Sequence, residues 1–196
     1  MKQLFIFSLL AFVLSPLAAQ YYSPVLADSI FEFKDRRDGE RYSVVQLGDM
    51  YWLGENLRYK TKDSWCYKNK DYGCSEFGRL YDWDDALTAC PDGWRLPTKE
   101  EWERLIEQLG GEKKAGYALV YDRGLGINAQ FGYPPNINGR FGVEESQTNF
   151  WTATSLNDDT AWTYYMIKNK LPLVLYGYMS KKYNLSCRCV TESIPN

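Results

Sequence analysis

An α+β fold with an antiparallel sheet is what this sequence predicts, and three observations predict it. Strand-like runs open and close the chain, two capped amphipathic helices stand between them, and a long Gly-, Asn- and Pro-rich stretch separates those helices from the closing strands. Five cysteines behind an export-like leader add disulfides as a stabilising element.

In chain order, Lys2 supplies a positive start, Leu4 to Leu14 an apolar run and Leu17-Ala18-Ala19 a small-residue exit. That pattern is a signal peptide over residues 1–19, because the apolar run is shorter than the ~20 residues that cross a bilayer. Residues 20–30 read as an unstructured lead-in. Asp38-Gly39 marks a tight turn between short strands within Glu32 to Arg41, and Gly48-Asp49 separates strand-like Tyr42–Leu47 from Tyr51–Leu53.

The first helix spans Asp82 to Cys90. Asp82 caps it, and Trp83, Ala86, Leu87 and Cys90 recur at helical spacing, so Cys90 closes the buried stripe. Pro91 and Gly93 stop it. The second helix opens at Pro97-Thr98 with a T-x-x-E capping box to Glu101, buries Trp102, Leu105, Ile106 and Leu109, and ends at Gly110-Gly111. From Gly116 to Asn149 little periodicity remains, and the reading is a long surface loop. Strand runs follow at Phe150–Ser155, Ala161–Lys168, Leu173–Met179 and Tyr183–Val190, with turn residues between them.

Composition excludes several chemistries. The 196 residues contain no histidine, which removes a Ser-His-Asp triad, a Cys-His dyad and an HExxH zinc site. The net charge is −2; without the leader it is −3, from 22 basic against 25 acidic residues, and no basic stripe points to nucleic acid. No second apolar span follows the leader, so no membrane span is expected in the mature chain. Neither a metal nor a cofactor is expected.

Export makes Cys66, Cys74, Cys90, Cys187 and Cys189 disulfide candidates, and their odd number leaves at least one unpaired or intermolecular. The polar stretch between Cys66 and Cys74 can turn back to close a small loop. In the last strand Leu185, Cys187 and Cys189 share a face, so Cys90 can meet either Cys187 or Cys189.

The motifs, taken in order, resemble the Fibrobacter succinogenes major paralogous domain, a family of exported bacterial proteins. They are Asp35-Arg-Arg37-Asp38-Gly39 with Tyr42; Trp52-Leu-Gly-Glu55-Asn56-Leu57; Cys66-Tyr67 and Cys74; and Phe77-Gly78-Arg79-Leu80-Tyr81-Asp82-Trp83. Cys90-Pro91-Asp-Gly93-Trp94-Arg95-Leu96-Pro97-Thr98, Phe150-Trp151 and Arg188-Cys189-Val190 complete the set. The resemblance covers residues 31–190 and leaves 191–196 as a tail. By analogy it implies a C-type lectin-like or sulfatase-modifying-factor-like fold, with Cys66–Cys74 and Cys90–Cys189 as the pairs. Cys187 departs from the pattern, where a non-cysteine is usual, and is either a buried thiol or a competitor for Cys90.

The function expected is a non-catalytic binding or adhesion domain for a polysaccharide or a cell-surface partner, secreted or held in the cell envelope (periplasm, outer surface or extracellular). Aromatic faces stack on sugar rings, while amides and carboxylates bind hydroxyls. The long loop supplies both in Tyr121, Asn128, Tyr133, Asn136, Asn138, Glu144 and Glu145. Trp83, Trp94, Trp102 and Trp151 are assigned to the core. Asn157-Asp158-Asp159 reads as a solvated turn rather than a calcium site. The alternatives are a structural envelope protein without a small ligand, and a cysteine-dependent oxidoreductase of the sulfatase-modifying type.

Overall fold

A computed structural model describes residues 29–121, 127, 129, 147–168 and 172–195. The elements run β1 (Ser29–Lys34), β2 (Arg41–Leu47), β3 (Met50–Leu53), β4 (Trp65–Cys66), a 3-10 turn (Tyr67–Asn69), α1 (Asp71–Phe77), β5 (Arg79–Tyr81), α2 (Trp83–Ala89), α3 (Lys99–Gln108) and α4 (Glu112–Tyr121). After them come β6 (Gln147–Ser155), β7 (Thr160–Ile167), β8 (Leu173–Ser180), β9 (Leu185–Ser186) and β10 (Val190–Thr191). The class is α+β. The strands form two sheets, ordered β1-β2-β3-β10 and β4-β5-β9-β6-β7-β8, antiparallel except where β6 meets β9.

Most local signals act as the sequence implies; the exception is Leu87, expected in the buried stripe of α2 but exposed, its place taken by Ala89. Gly39 takes φ 83° in the turn between β1 and β2, a conformation in which side chains are strained. The Asp82 side chain accepts the Asp85 N–H at the start of α2. Thr98 and Glu101 form a reciprocal capping box on α3. Trp83, Trp94, Trp102 and Trp151 are all buried. The Trp83 indole donates to Thr152 O at 2.9 Å and that of Trp151 to Tyr81 O at 2.8 Å, which ties α2 and β5 to β6.

Three expectations change. Four helices stand among the described residues instead of two. α1 begins inside the Cys66–Cys74 loop and runs past Cys74, is seven residues long, and has no side-chain cap to announce it. α4 occupies the beginning of the stretch assigned to a loop, and β6 begins at Gln147, so the expected Gly116–Asn149 excursion shortens from both ends. α4 buries Ala115, Ala118 and Leu119, a stripe built mainly of small residues that gives a weak hydrophobic period. Finally, the Tyr183–Val190 run is two short strands in different sheets, β9 beside β5 and β6, and β10 beside β3.

Two hydrophobic clusters result. One packs α3 and α4 against β2, β3 and β6–β8 around Trp102, whose ring lies 5.0 Å from Trp52, 5.6 Å from Phe150 and 5.4 Å from Tyr164. The other gathers α2, β5 and the terminal strands around the Cys90–Cys189 disulfide. Arg188 is buried between the sheets and donates to Leu53 O, Gly54 O and Asn56 Oδ1. Burial pushes its pKa down to about 10, so the guanidinium remains charged at neutral pH.

Candidate functional site

On an antiparallel pair every second side chain shares a face. In the β7–β8 register Met166 faces Val174, Tyr164 faces Tyr176, Trp162 faces Tyr178 and Thr160 faces Ser180. The row starts in the core and ends outside it. Met166 and Val174 are buried in the cluster with α3 and α4, and Tyr164 is buried against the Trp102 ring. Beyond Tyr164 the cover stops at Lys99, the first residue of α3. Trp162 is half-buried there, while Tyr176 is 55% and Tyr178 63% exposed.

These three rings form a shelf. The Trp162 ring centre lies 6.0 Å from Tyr176 at 57° and 6.3 Å from Tyr178 at 87°. The Lys99 ammonium stands 5.3 Å from the Trp162 ring and 5.4 Å from that of Tyr176, within reach of a cation–π attraction. Its salt bridge to Glu103, one turn along α3, holds it over the rings. The Lys99 N–H donates to Thr154 Oγ1 and its carbonyl accepts the Tyr164 hydroxyl, so α3 is anchored to both β6 and β7 at this point. Burial pushes the Tyr164 pKa well above its ordinary value, so it remains a neutral donor. The shelf therefore offers exposed ring faces, a cation and a carboxylate on a rigid sheet.

The shelf residues are not those the sequence singled out. Tyr121 is the last residue of α4. Asn128, Tyr133, Asn136, Asn138, Glu144 and Glu145 lie outside the described residues. Trp162, Tyr176 and Tyr178 read only as strand formers, although exposed aromatics at alternate positions around Gly177 were the available signal.

Other polar groupings have structural work. Asp35 is buried and pairs with Arg37 at 2.8 Å; Arg37 also donates to the Ala89 and Cys90 carbonyls and lies 3.7 Å over the Tyr59 ring. This staples the β1–β2 turn to the end of α2. A cavity of about 370 Å³ opens beside it, lined in part by Phe33, Pro91 and Pro195. Burial opposes ionisation of Glu101, but hydrogen bonds from Arg95 at 2.7 Å and from the Thr98 N–H outweigh it and hold the carboxyl below the usual range. Asn157 Oδ1 accepts the Asp159 and Thr160 N–H groups in a turn. No group of three His, Cys, Asp or Glu among the described residues is placed to hold a metal.

The cysteines pair as Cys66–Cys74 and Cys90–Cys189, leaving Cys187 as a buried thiol. Burial pushes the Cys187 pKa well above its ordinary value, away from the reactive thiolate. Two disulfides suit an oxidising, extracytoplasmic environment. Among the described residues no helix is long and apolar enough to cross a membrane. The family model described as Fibrobacter succinogenes major domain matches residues 45–191. No curated protein and no solved structure matches the chain.

Proposed function

The chain belongs to the Fibrobacter succinogenes major domain family, and from that premise we propose that it is an exported, non-catalytic polysaccharide-binding domain on a C-type lectin-like scaffold. The observation that carries this reading is the shelf of Trp162, Tyr176 and Tyr178 beneath Lys99. Tyr176 and Tyr178, more than half exposed, adjoin half-buried Trp162 in one contiguous aromatic patch, and such patches mark binding surfaces. A sugar suits this patch: its apolar C–H face stacks on a ring, and its hydroxyls take hydrogen bonds from Lys99 and give them to Glu103. The 87° between Trp162 and Tyr178 makes the shelf twisted rather than flat. It fits a single glycan chain better than the flat face of a crystalline one.

Two features support the absence of turnover. The chain has no histidine, and the Cys187 thiol is buried and held protonated, which weighs against a cysteine-dependent oxidoreductase. The lectin-like scaffold is supported by the long-range disulfide that joins the end of α2 to the terminal strand. The two capped helices packed against sheets point the same way.

The test is a panel of soluble polysaccharides and an insoluble crystalline glucan presented to the purified protein. Binding to a soluble glycan is expected, and Tyr178→Ala should weaken it about fivefold at an unchanged melting temperature, since one stacked ring contributes about 1 kcal/mol. Tyr133→Ala and Asn136→Ala provide the rival site. Weakening by those substitutions and not by Tyr178→Ala would move the site to the stretch before β6. No binding across the panel would favour a structural envelope protein.

A further inference from the structure

The second site lies at the other end of the β4–β8 sheet. Cys66 closes β4 and Cys74 sits in α1, so their disulfide, eight residues apart in sequence, closes a short loop from the end of the strand into the helix. Both cysteines are partly exposed, whereas Cys90 and Cys189 are buried. Cys74 lines an open cavity of about 450 Å³ together with Glu40, Arg58, Asp71, Ser75 and Arg79.

Arg79 faces the disulfide. It is the cross-strand partner of Cys66 in the β4–β5 pair. Its Nε donates to Ser64 Oγ at 2.8 Å and its Nη2 to Ser64 O at 2.9 Å, which fixes the plane of the guanidinium. Nη1 is thereby aimed at the sulfurs, 3.1 Å from Cys74 Sγ and 3.6 Å from Cys66 Sγ. Arg58, on the same cavity, is engaged with Glu40 at 2.8 Å. A disulfide gains little from a cation at this distance, because neither sulfur carries charge. A thiolate released there gains a great deal, since a neighbouring arginine lowers a thiol's pKa and a better leaving group departs faster.

We propose that Cys66–Cys74 is an exchange site for an external dithiol, with Arg79 stabilising the thiolate that leaves. The attacking thiolate enters through the cavity and bonds to Cys74 Sγ, the sulfur that lines it. The Cys66–Cys74 bond breaks, and Cys66 departs as a thiolate held by the Arg79 guanidinium until it takes a proton from water. The second thiol of the reductant, as its thiolate, then attacks the mixed disulfide, and Cys74 leaves and is protonated. Two electrons and two protons pass from the dithiol, which becomes a disulfide, to the cystine. The Cys90–Cys189 bond takes no part, because its sulfurs are enclosed in the core.

The experiment uses the folded, oxidised protein with limiting dithiothreitol at neutral pH, timed quenching with iodoacetamide and peptide mapping. Cys66 and Cys74 should be alkylated at least about tenfold sooner than Cys90 and Cys189, with Cys187 unlabelled. Arg79→Gln should slow that opening about tenfold, and Arg79→Lys should restore most of the rate. Simultaneous opening of both disulfides overturns the proposal. So does an unchanged rate in Arg79→Gln while Cys90–Cys189 stays closed. If Arg79→Gln exposes Cys187, and so has loosened the fold, the wild-type protein decides through a monothiol trap. Glutathione should be found on Cys74 with Cys66 alkylated, and the reverse placement overturns the proposal.

Discussion

Single residues in this protein act mainly by satisfying groups that burial would otherwise strand. Glu101 is the clearest case: it is 7% exposed, completes the cap of α3 and accepts two hydrogen bonds from Arg95, whose own side chain is 41% exposed. Solvent screening on the arginine side keeps the pair modest. Glu101→Gln should therefore cost about 1–2 kcal/mol at neutral pH, largely through the cap and the charge-assisted bonds. Because the folded pKa of Glu101 is lowered, its contribution is complete above the ordinary glutamate value of 4.5 and is lost as the pH falls through the folded value. Melting temperatures measured between pH 7 and pH 3 should converge for wild type and Glu101→Gln at the acid end. Parallel curves would mean that the carboxylate's charge contributes nothing.

At the scale of elements, the helices that were legible in the sequence and those that were not differ in how they bury themselves. α3 buries large apolar residues at helical spacing and α2 buries Trp83 with Ala86 and Ala89, and Asp82, Thr98 and Glu101 do what their positions announce. α4 buries its backbone instead. Gly116 lies so close to β8 that an added Cβ would sit 2.3 Å from Pro172 O. A glycine that reads as a helix breaker is here the residue that lets the helix touch the sheet. In an open helix Gly116→Ala would gain about 0.5–1 kcal/mol; here it should destabilise by about 1–3 kcal/mol, as overpacking does. Urea denaturation distinguishes the two signs directly. The aromatic shelf was hidden for a related reason. Trp162, Tyr176 and Tyr178 belong to strands whose alternation is plain, but whether the outer end of that face is covered depends on where α3 begins. That is set by the Lys99–Thr154 contact between segments 55 residues apart. The motif residues Asp35 and Arg37 were visible as a pattern, yet only their contact with the end of α2 reveals a staple.

Across the whole molecule, one short length of chain runs through both sheets and both clusters. Residues 185–191 enter the larger sheet as β9 and leave in the smaller one as β10. Between them Arg188 holds Leu53, Gly54 and Asn56, and Cys189 is bonded to Cys90 at the end of α2. The backbone supports the same junction, with Leu53 N–H bonded to Cys189 O and Leu57 N–H to Cys187 O, both at 3.0 Å. The Cys90–Cys189 bond spans 99 residues and Cys66–Cys74 spans eight. In the chain-entropy model these closures contribute about 4.7 and about 2.5 kcal/mol respectively. A domain of this size has a total stability of about 5–15 kcal/mol, so the longer bridge is a large share of it. Removing it as Cys90→Ala with Cys189→Ala should lower the unfolding free energy by about 4–5 kcal/mol. Both sheets should still melt in one transition, because Arg188 and the backbone contacts keep them coupled. Removing Cys66 and Cys74 should cost about 2–3 kcal/mol. Tryptophan fluorescence and far-UV circular dichroism followed along the same urea titration report the two sheets together. Two separated transitions in the Cys90/Cys189 double variant would mean that the disulfide alone makes them one cooperative unit.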